Sequence, residues 1–385
     1  RFLQVFKDIS SEIQSDYEDT LQLLVADLTI SSEFLTKALA KASNFMSKWA
    51  VNYGHNSLKD SCFNMIAIEG VSIRASKILE DSKLGAFQEK STRYMDFSGD
   101  SISEYAVNVE GKELLNEAMN VYSNTKNALI EYYKTIINKD DFKTENAWIR
   151  TCNAKAFDDA RYLLPTSIKT SLGVTMTTRE TERWLSKLLS NSLPEIKDLA
   201  SSIKEECIKI TPSLIKHVTA NKFLNNINSK LYEKFTEFDS NISTVVDQEA
   251  YGAKLIDYSN VEDSVRFNIV TSLGLFDQDH ILSIAKEISN QKLDVFELAF
   301  SERGPHDDFP SECATGYLHF EIICDIGAFR DIQRHRVGTQ IIEKWNSFRG
   351  YSIPDSLSDE GLAALRSQYV DIMDRISEFN KKLVN

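Results

Sequence analysis

Gln333-Arg334-His335-Arg336-Val337-Gly338-Thr339 sets two guanidinium groups and an imidazole on three successive residues and closes on a glycine. Such a density of donors and positive charge suits an anion, because a guanidinium presents a planar fork of N–H groups to paired oxygens. A solvated or salt-bridged arginine turn has the same spacing, and the cluster alone does not separate the two readings. A second candidate lies in Gly85-Ala-Phe-Gln-Glu-Lys-Ser-Thr-Arg-Tyr94, where Glu89, Ser91 and Arg93 alternate. In an extended segment that period puts an acceptor, a hydroxyl and a guanidinium on one face, suited to a polar ligand with a phosphate or carboxylate, although a solvated strand face also alternates in this way. Arg179 and Arg183 are four apart and share a helix face, where they either clamp a phosphate or pair with Glu180 and Glu182.

These groups need elements to hold them. The run Gly316 to Arg330 ahead of the basic cluster is apolar enough to be buried, so the cluster is expected to emerge from a packed element. Helical spacing predicts two amphipathic helices between Ser10 and Trp49, followed by a turn over Asn52 to Ser57 in which Gly54 is free to take positive φ and Ser57 to cap the next element. Phe63 to Val71 reads as a buried strand, although so short a run also fits the start of a helix. Ser72 to Leu84, Gly111 to Asn138 and Asn153 to Leu163 are helical in pattern, and Pro165 breaks the last of these. Thr166 to Thr178 reads as a polar connecting stretch. Helical pattern then recurs from Arg179 to Leu189, Pro194 to Val218, Leu224 to Phe238, Asp279 to Ser289 and Glu360 to Val384, with a short strand at Lys254 to Tyr258. The fold class expected is α+β, with small sheets flanked by long helices.

Composition narrows the partners. The 385 residues are 42% hydrophobic, enough for one large domain or two medium ones. With 44 basic and 57 acidic residues the net charge is −13, which argues against nucleic acid or an anionic membrane as a non-specific partner. An anionic ligand must therefore meet a local basic pocket. The five cysteines, Cys62, Cys152, Cys207, Cys313 and Cys324, lack CxxC spacing, so neither a disulfide framework nor a metal site is expected. No apolar run nears the roughly 20 residues that span a bilayer, and the protein is expected to be soluble and cytoplasmic. The sequence starts at Arg1 without a methionine, which leaves room for preceding residues.

The two halves share an order of parts: a helix, a Gly/His/Asp loop, an acidic residue, an apolar run of about nine residues, an Arg-bearing segment, then a glycine with a polar tail. Asp60 to Asp81 is 21 positions and Glu312 to Arg334 is 22, each leading to a Gly motif (Leu84-Gly85-Ala86 and Val337-Gly338-Thr339). That regularity predicts a tandem duplication, with a first repeat over 1–245 and a second over 246–385.

With these parts in place, the chain resembles the flavin-dependent thymidylate synthases, the ThyX family, whose signature is RHRxxS followed by ExSxRY. The signature is split: Arg334-His335-Arg336 stands in the second half and Glu89-Lys-Ser91-Thr-Arg93-Tyr94 in the first. Gly54-His55-Asn-Ser57-Leu-Lys-Asp60 is similar to the family's GHxSxxEH loop, and Ala160-Arg161-Tyr-Leu-Leu-Pro165 to its ARxxLP segment, with Thr177 and Arg179 at its NxR. The departures are Asp81-Ser82-Lys83 at the first RHR position, Asp331 where the family has a nucleotide-contacting Gln, and Leu188 where it has a late arginine that favours uracil ionisation.

The resemblance implies methylation of dUMP to dTMP with methylenetetrahydrofolate, a hydride from FAD, NADPH as reductant, and no cysteine nucleophile. It would assign Glu89, Ser91, Arg93, Arg161 and Asp331 to the substrate, and Arg334, His335, Arg336, Ser57, Thr177 and Arg179 to FAD. Arg183 stands where the family has an Asn, and no residue inherits the catalytic arginine. Family members are homotetramers with sites between subunits, so a composite site between repeats and a dimer of tandem chains are expected here. The alternatives are a degenerate, non-catalytic flavin or nucleotide binder and a purely structural helical protein. By analogy with the first repeat, a further stretch on the order of 80 to 100 residues is expected after Asn385, supplying the second ARxxLP segment and the late arginine.

Overall fold

The computed structural model describes residues 32–52, 56–105, 108–225, 251–274, 295–343 and 349–384, with positions 230, 231, 234, 280, 281, 283, 284, 287 and 345. The helix expected near Leu21 to Leu28, the loop residues Gly54 and His55, and most of Leu224 to Phe238 and Asp279 to Ser289 lie outside the described residues. In chain order the elements are α1 (Ser32–Met46), β1 (Phe63–Ser72), α2 (Ile73–Leu79), β2 (Ala86–Glu89), α3 (Val109–Ile136), α4 (Glu145–Ala160), β3 (Lys169–Thr177), α5 (Thr178–Leu189), α6 (Pro194–Ile210) and α7 (Pro212–Ile215). They continue with β4 (Gly252–Tyr258), α8 (Val261–Ser272), α9 (Val295–Phe300), β5 (Leu318–Ile323), α10 (Ile326–Ile332) and α11 (Ala363–Val384). The class is α+β. The chain forms two compact units, one of Arg1–Val245, Arg330–Ser347 and Tyr351–Asn385, the other of Val246–Phe329 and Phe348–Gly350.

The first unit is built on an antiparallel sheet of order β1-β3-β2. Its central strand is β3, so the stretch read as a polar connection is in fact paired on both sides, to β1 through Ile66↔Val174 and Ile68↔Leu172 and to β2 through Phe87↔Val174. The alternation is present in the sequence: Thr170, Leu172, Val174 and Met176 are buried while Ser171, Gly173 and Thr175 are turned away from the core. Short polar and β-branched residues hide it, because Thr suits a pleated strand as well as a loop. Gly70 takes φ +69 at the irregularity between Glu69 and Val71, in space open enough for a side chain, so backbone conformation and not room calls for glycine.

Helices α2, α5, α6 and α7 cover one face of this sheet. Ile68, Leu172, Val174 and Met176 pack with Trp184, Leu185, Ile196 and Ile215, and the indole N–H of Trp184 donates to the Leu79 carbonyl at 2.8 Å. The opposite face carries Met65 at 83% exposure. Helix α2 is shorter than the sequence pattern suggests, running from its Ser72 cap, whose hydroxyl accepts from Ala75 N–H, only to Leu79. A second core joins α3, α4 and α11 through Tyr122, Leu129, Ala156, Leu357, Tyr369 and Ile372.

In the second unit β4 pairs with β5 in antiparallel register, Leu255 opposite Phe320. Leu318, Phe320 and Ile322 are exposed there, which corrects the expectation that the run from Gly316 is buried; a two-stranded ladder leaves its faces open. Gly316 takes φ +74, and a Cβ there would stand 2.6 Å from the Ser259 hydroxyl oxygen.

Candidate functional site

Several site candidates of the first unit gather where β2 ends. Glu89, its last residue, is buried: Oε1 accepts from the Ser76 hydroxyl at 2.6 Å, and Oε2 accepts from Lys77 Nζ and from Arg330 Nη2, both at 2.9 Å. Burial pushes this carboxyl's pKa up, but Arg330 and Lys77 outweigh it and hold the group below the ordinary carboxylate range. Lys77 also pairs with Glu80 at 2.6 Å, so two cations and two carboxylates balance in the interior. The last turn of α10 is thereby held in place, since Arg330 Nη1 also donates to Thr92 and the Gln333 amide to the Lys77 carbonyl at 2.7 Å. Both oxygens of Glu89 are thus engaged within the protein.

The extended stretch stops at Glu89, which corrects the expectation of one alternating face through Arg93. Lys90 N–H makes the last bond to β3, at Ser171, and the chain then turns, with Met95 N–H on the Ser91 carbonyl and Arg93 N–H on the Ser91 hydroxyl. The turn swings Arg93 toward the end of α4. Arg93 Nε lies 3.2 Å and Arg161 Nε 3.1 Å from the same oxygen, Asp158 Oδ1. Arg161 Nη2 is 3.6 Å from Asp331 Oδ2. These are charge contacts without hydrogen-bond alignment, and buried Arg161 Nε and Asp158 Oδ1 have no hydrogen-bond partner. Two guanidinium groups thus share one carboxylate with donors to spare, the donor set that suits an anion.

The basic cluster begins where α10 ends. The Gln340 amide donates to the carbonyls of Ile332 and His335, which ties the turn together. Arg334 and His335 are exposed, and their side chains make no hydrogen bond or ion pair among the described residues. Arg336 lies over the Phe87 ring at 4.7 Å and donates from Nη1 to the Gly85 carbonyl, while its buried Nε has no partner. In the opposite sense Lys83 Nζ donates to the Thr339 hydroxyl at 2.9 Å.

The other candidates are placed elsewhere. Ser57 is exposed in the 3-10 turn Asn56–Ser61. Thr177 caps α5, its hydroxyl accepting from Glu180 N–H, and Arg179 donates to Asp60 at 2.9 Å. No hydrogen bond or ion pair among the described residues joins these three to Arg93, Arg161 or Arg336. Leu188, at 1% exposure, packs in the core beside Trp184. In the segment Asp81-Ser82-Lys83, Asp81 pairs with Lys187 and Ser82 donates to Glu180, so those two side chains are already matched. Sequence reasoning missed Lys77, Asp158 and Arg330. Asp158 alone had a local signal, an acid one helical turn before Arg161.

Burial raises the thiol pKa of Cys152 and Cys324 and pushes that of Cys207 up to about 11, so none of these three is an activated nucleophile. Among the described residues no group of three His, Cys, Asp or Glu side chains is placed to hold a metal ion, and no helix is long and apolar enough to cross a membrane.

Fold and site together define an α+β protein in which two arginines converge on one carboxylate beside a small antiparallel sheet. The family model described as thymidylate synthase complementing protein matches residues 13–213, just over half of the chain. The chain belongs to this family, that of the flavin-dependent thymidylate synthases. A UPF0159 protein of Chlamydia muridarum is 26% identical over 347 residues, covering 85% of this chain and 65% of that protein, so the chain spans just under two thirds of the relative. The flavin-dependent thymidylate synthase of Pyrococcus furiosus is 25% identical over 160 residues, covering 41% of this chain and 60% of the enzyme. A solved flavin-dependent thymidylate synthase ThyX of Helicobacter pylori, complexed with FAD and dUMP, is 18% identical with a TM-score of 0.30, covering 46% of this chain and 84% of that one. So slight a structural likeness assigns no ligand.

Proposed function

We propose that the chain is a flavin-dependent thymidylate synthase with one composite site, methylating dUMP to dTMP with methylenetetrahydrofolate as carbon donor and NADPH as reductant. The observation that carries this reading is the join between the two signature fragments. Arg330 donates to both Glu89 and Thr92, and Arg161 lies against Asp331, so the ExSxR turn adjoins the helix that leads into Arg334, His335 and Arg336. The halves are read as divergent repeats, 1–245 and 246–385. Matching Gly85 to Gly338 makes Lys83 the counterpart of Arg336, and the contacts of these two residues with Thr339 and with the Gly85 carbonyl are nearly reciprocal.

Arg93 and Arg161 would bind the nucleotide phosphate, with Ser91 beside them. The donors of Arg334 and His335 and the unpartnered Nε of Arg336 suit the pyrophosphate of FAD, which supplies hydride when bound. Thr177 and Arg179 are engaged as a helix cap and an ion pair, and Glu89 acts by holding Arg330. The raised thiol pKa values of Cys152, Cys207 and Cys324 agree with chemistry that needs no cysteine. The second reading, a non-catalytic flavin or nucleotide binder, is favoured by Leu188, where the resemblance expects an arginine and the core has a leucine.

Purified protein is expected to show flavin absorbance and to release tritium from 5-labelled dUMP when NADPH and the folate are supplied. Arg334→Ala or Arg336→Ala should each weaken flavin retention by about 1.5 to 3 kcal/mol, the value of a charge-assisted hydrogen bond. Flavin without tritium release would select the second reading. Absence of flavin sinks both. A dimer of tandem chains belongs to the same proposal, and the mass in solution checks it.

A further inference from the structure

We propose that Asp331 is an internal competitor for the ligand's phosphate: it holds Arg161 while the seat is empty and must swing away when an anion arrives. This rests on the reading of Arg93 and Arg161 as the anion seat. The four groups of the cluster, two guanidinium and two carboxylate, sum to zero charge, so a phosphate monoester enters a seat already neutralised. The two carboxylates are not equivalent. Asp158, 35% exposed, is gripped by both arginines through one buried oxygen, at 3.1 and 3.2 Å, whereas Asp331, 41% exposed, pairs among the described residues with Arg161 alone, at 3.6 Å. Asp331 also sits in the last turn of α10, where a negative charge meets the carbonyl end of the helix. It is therefore the member held most weakly, by one longer contact against two shorter ones.

Arg161 is the group released. Its side chain is nine-tenths buried and its Nε makes no hydrogen bond, so it gains most from a ligand oxygen that aligns with it. The ligand class is set by the exchange: an anion compact enough to replace a carboxylate, on a body that stays beside Arg93 and Ser91, as a nucleoside 5'-phosphate has. Asp331 thus makes the seat discriminate, weakening every anionic ligand by the strength of its own contact and leaving neutral nucleosides unaffected.

The test is calorimetric titration of dUMP and of deoxyuridine into the full chain as purified, in wild type, Asp331→Asn and Arg161→Ala. Asn keeps the shape and removes the charge at a half-exposed position. Asp331→Asn is expected to bind dUMP about three- to tenfold more tightly, the range for losing one partly screened opposing charge, with deoxyuridine unchanged. Arg161→Ala should lose dUMP. If Arg161→Ala loses dUMP while Asp331→Asn binds it no more tightly than wild type, the competitor is disproved and the seat stands. An equal gain for deoxyuridine also disproves it, since charge would not be the cause. If Arg161→Ala binds dUMP as wild type does, or if neither wild type nor Asp331→Asn binds it at all, the seat itself is wrong and the proposal goes with it.

Discussion

Three donors converge on the two oxygens of Glu89, and two of them carry full positive charge. Replacing it by Gln keeps the size and leaves Lys77 and Arg330 in the interior short of a counter-charge. Lys77 retains Glu80, so the loss should fall at the low end of the range for a broken buried pair, about 3 kcal/mol at neutral pH. The sign of the pH dependence comes from the depressed pKa. A carboxyl bound more weakly by protons when folded stabilises the fold above its ordinary value of 4.5 and loses that contribution as pH falls through its lower folded value. Urea unfolding of wild type and Glu89→Gln should therefore differ most near neutrality and converge below about pH 4.5; a gap constant down to pH 3 would show that the charge is not what Glu89 contributes. At this scale the sequence shows the arginines clearly, because dense guanidinium groups are conspicuous in one dimension. It does not show that Asp158 is shared or that Lys77 is buried, since those facts depend on which elements meet.

At the scale of elements, β2 links the sheet to the basic cluster through one glycine. Gly85 accepts from Arg336, and a Cβ on it would stand 2.6 Å from the Phe87 ring and 3.1 Å from Met176 Cε. Gly85→Ala must therefore push aside the ring over which Arg336 lies. The expected outcome is a loss of about 1 to 3 kcal/mol by overpacking, seen as a lower Tm, together with weaker flavin retention. Unchanged flavin retention in a destabilised variant would remove Phe87 from the support of Arg336. The strands show where sequence patterns suffice. The run at Phe63 is apolar enough to be read as a strand, and Gly252–Tyr258 is close to its expected span. Strand β3 escaped because all its outward positions but Lys169, and one of its inward ones, are Ser, Thr or Gly, which also populate loops. The shortened α2 escaped because nothing in its sequence marks Leu79 as an end; the turn is imposed by Trp184 and the β2 strand that comes after it.

At the scale of the whole molecule, residues far apart in sequence finish the same core. Leu357, Tyr369 and Ile372 are buried in the layer that contains Tyr122 and Leu129, and the Tyr369 hydroxyl is fixed on the Ser352 carbonyl at 2.6 Å. Arg375 adds a bidentate pair with Glu117 on α3, both oxygens at 2.6 Å, at an exposed position where it contributes little. The weight lies in the apolar contacts. Burying three such side chains is worth on the order of 5 to 9 kcal/mol, comparable with the whole stability of an ordinary domain at about 5 to 15 kcal/mol. Cutting the chain after residue 245 removes all three and also takes Arg330 from Glu89. A fragment of residues 1–245 should therefore fail to give a cooperative unfolding transition or near-UV circular dichroism, even though it contains every strand of the sheet. Adding a fragment of residues 246–385 in trans should restore both signals, because the missing parts are packing partners and not local signals. If residues 1–245 alone unfolded cooperatively at the midpoint of the full chain, α11 and the turn of α10 would be ornaments on a self-sufficient domain. The proposed composite site would then lose its structural basis, since the half bearing Glu89, Arg93 and Arg161 would have no need of the half bearing Arg334 and Arg336.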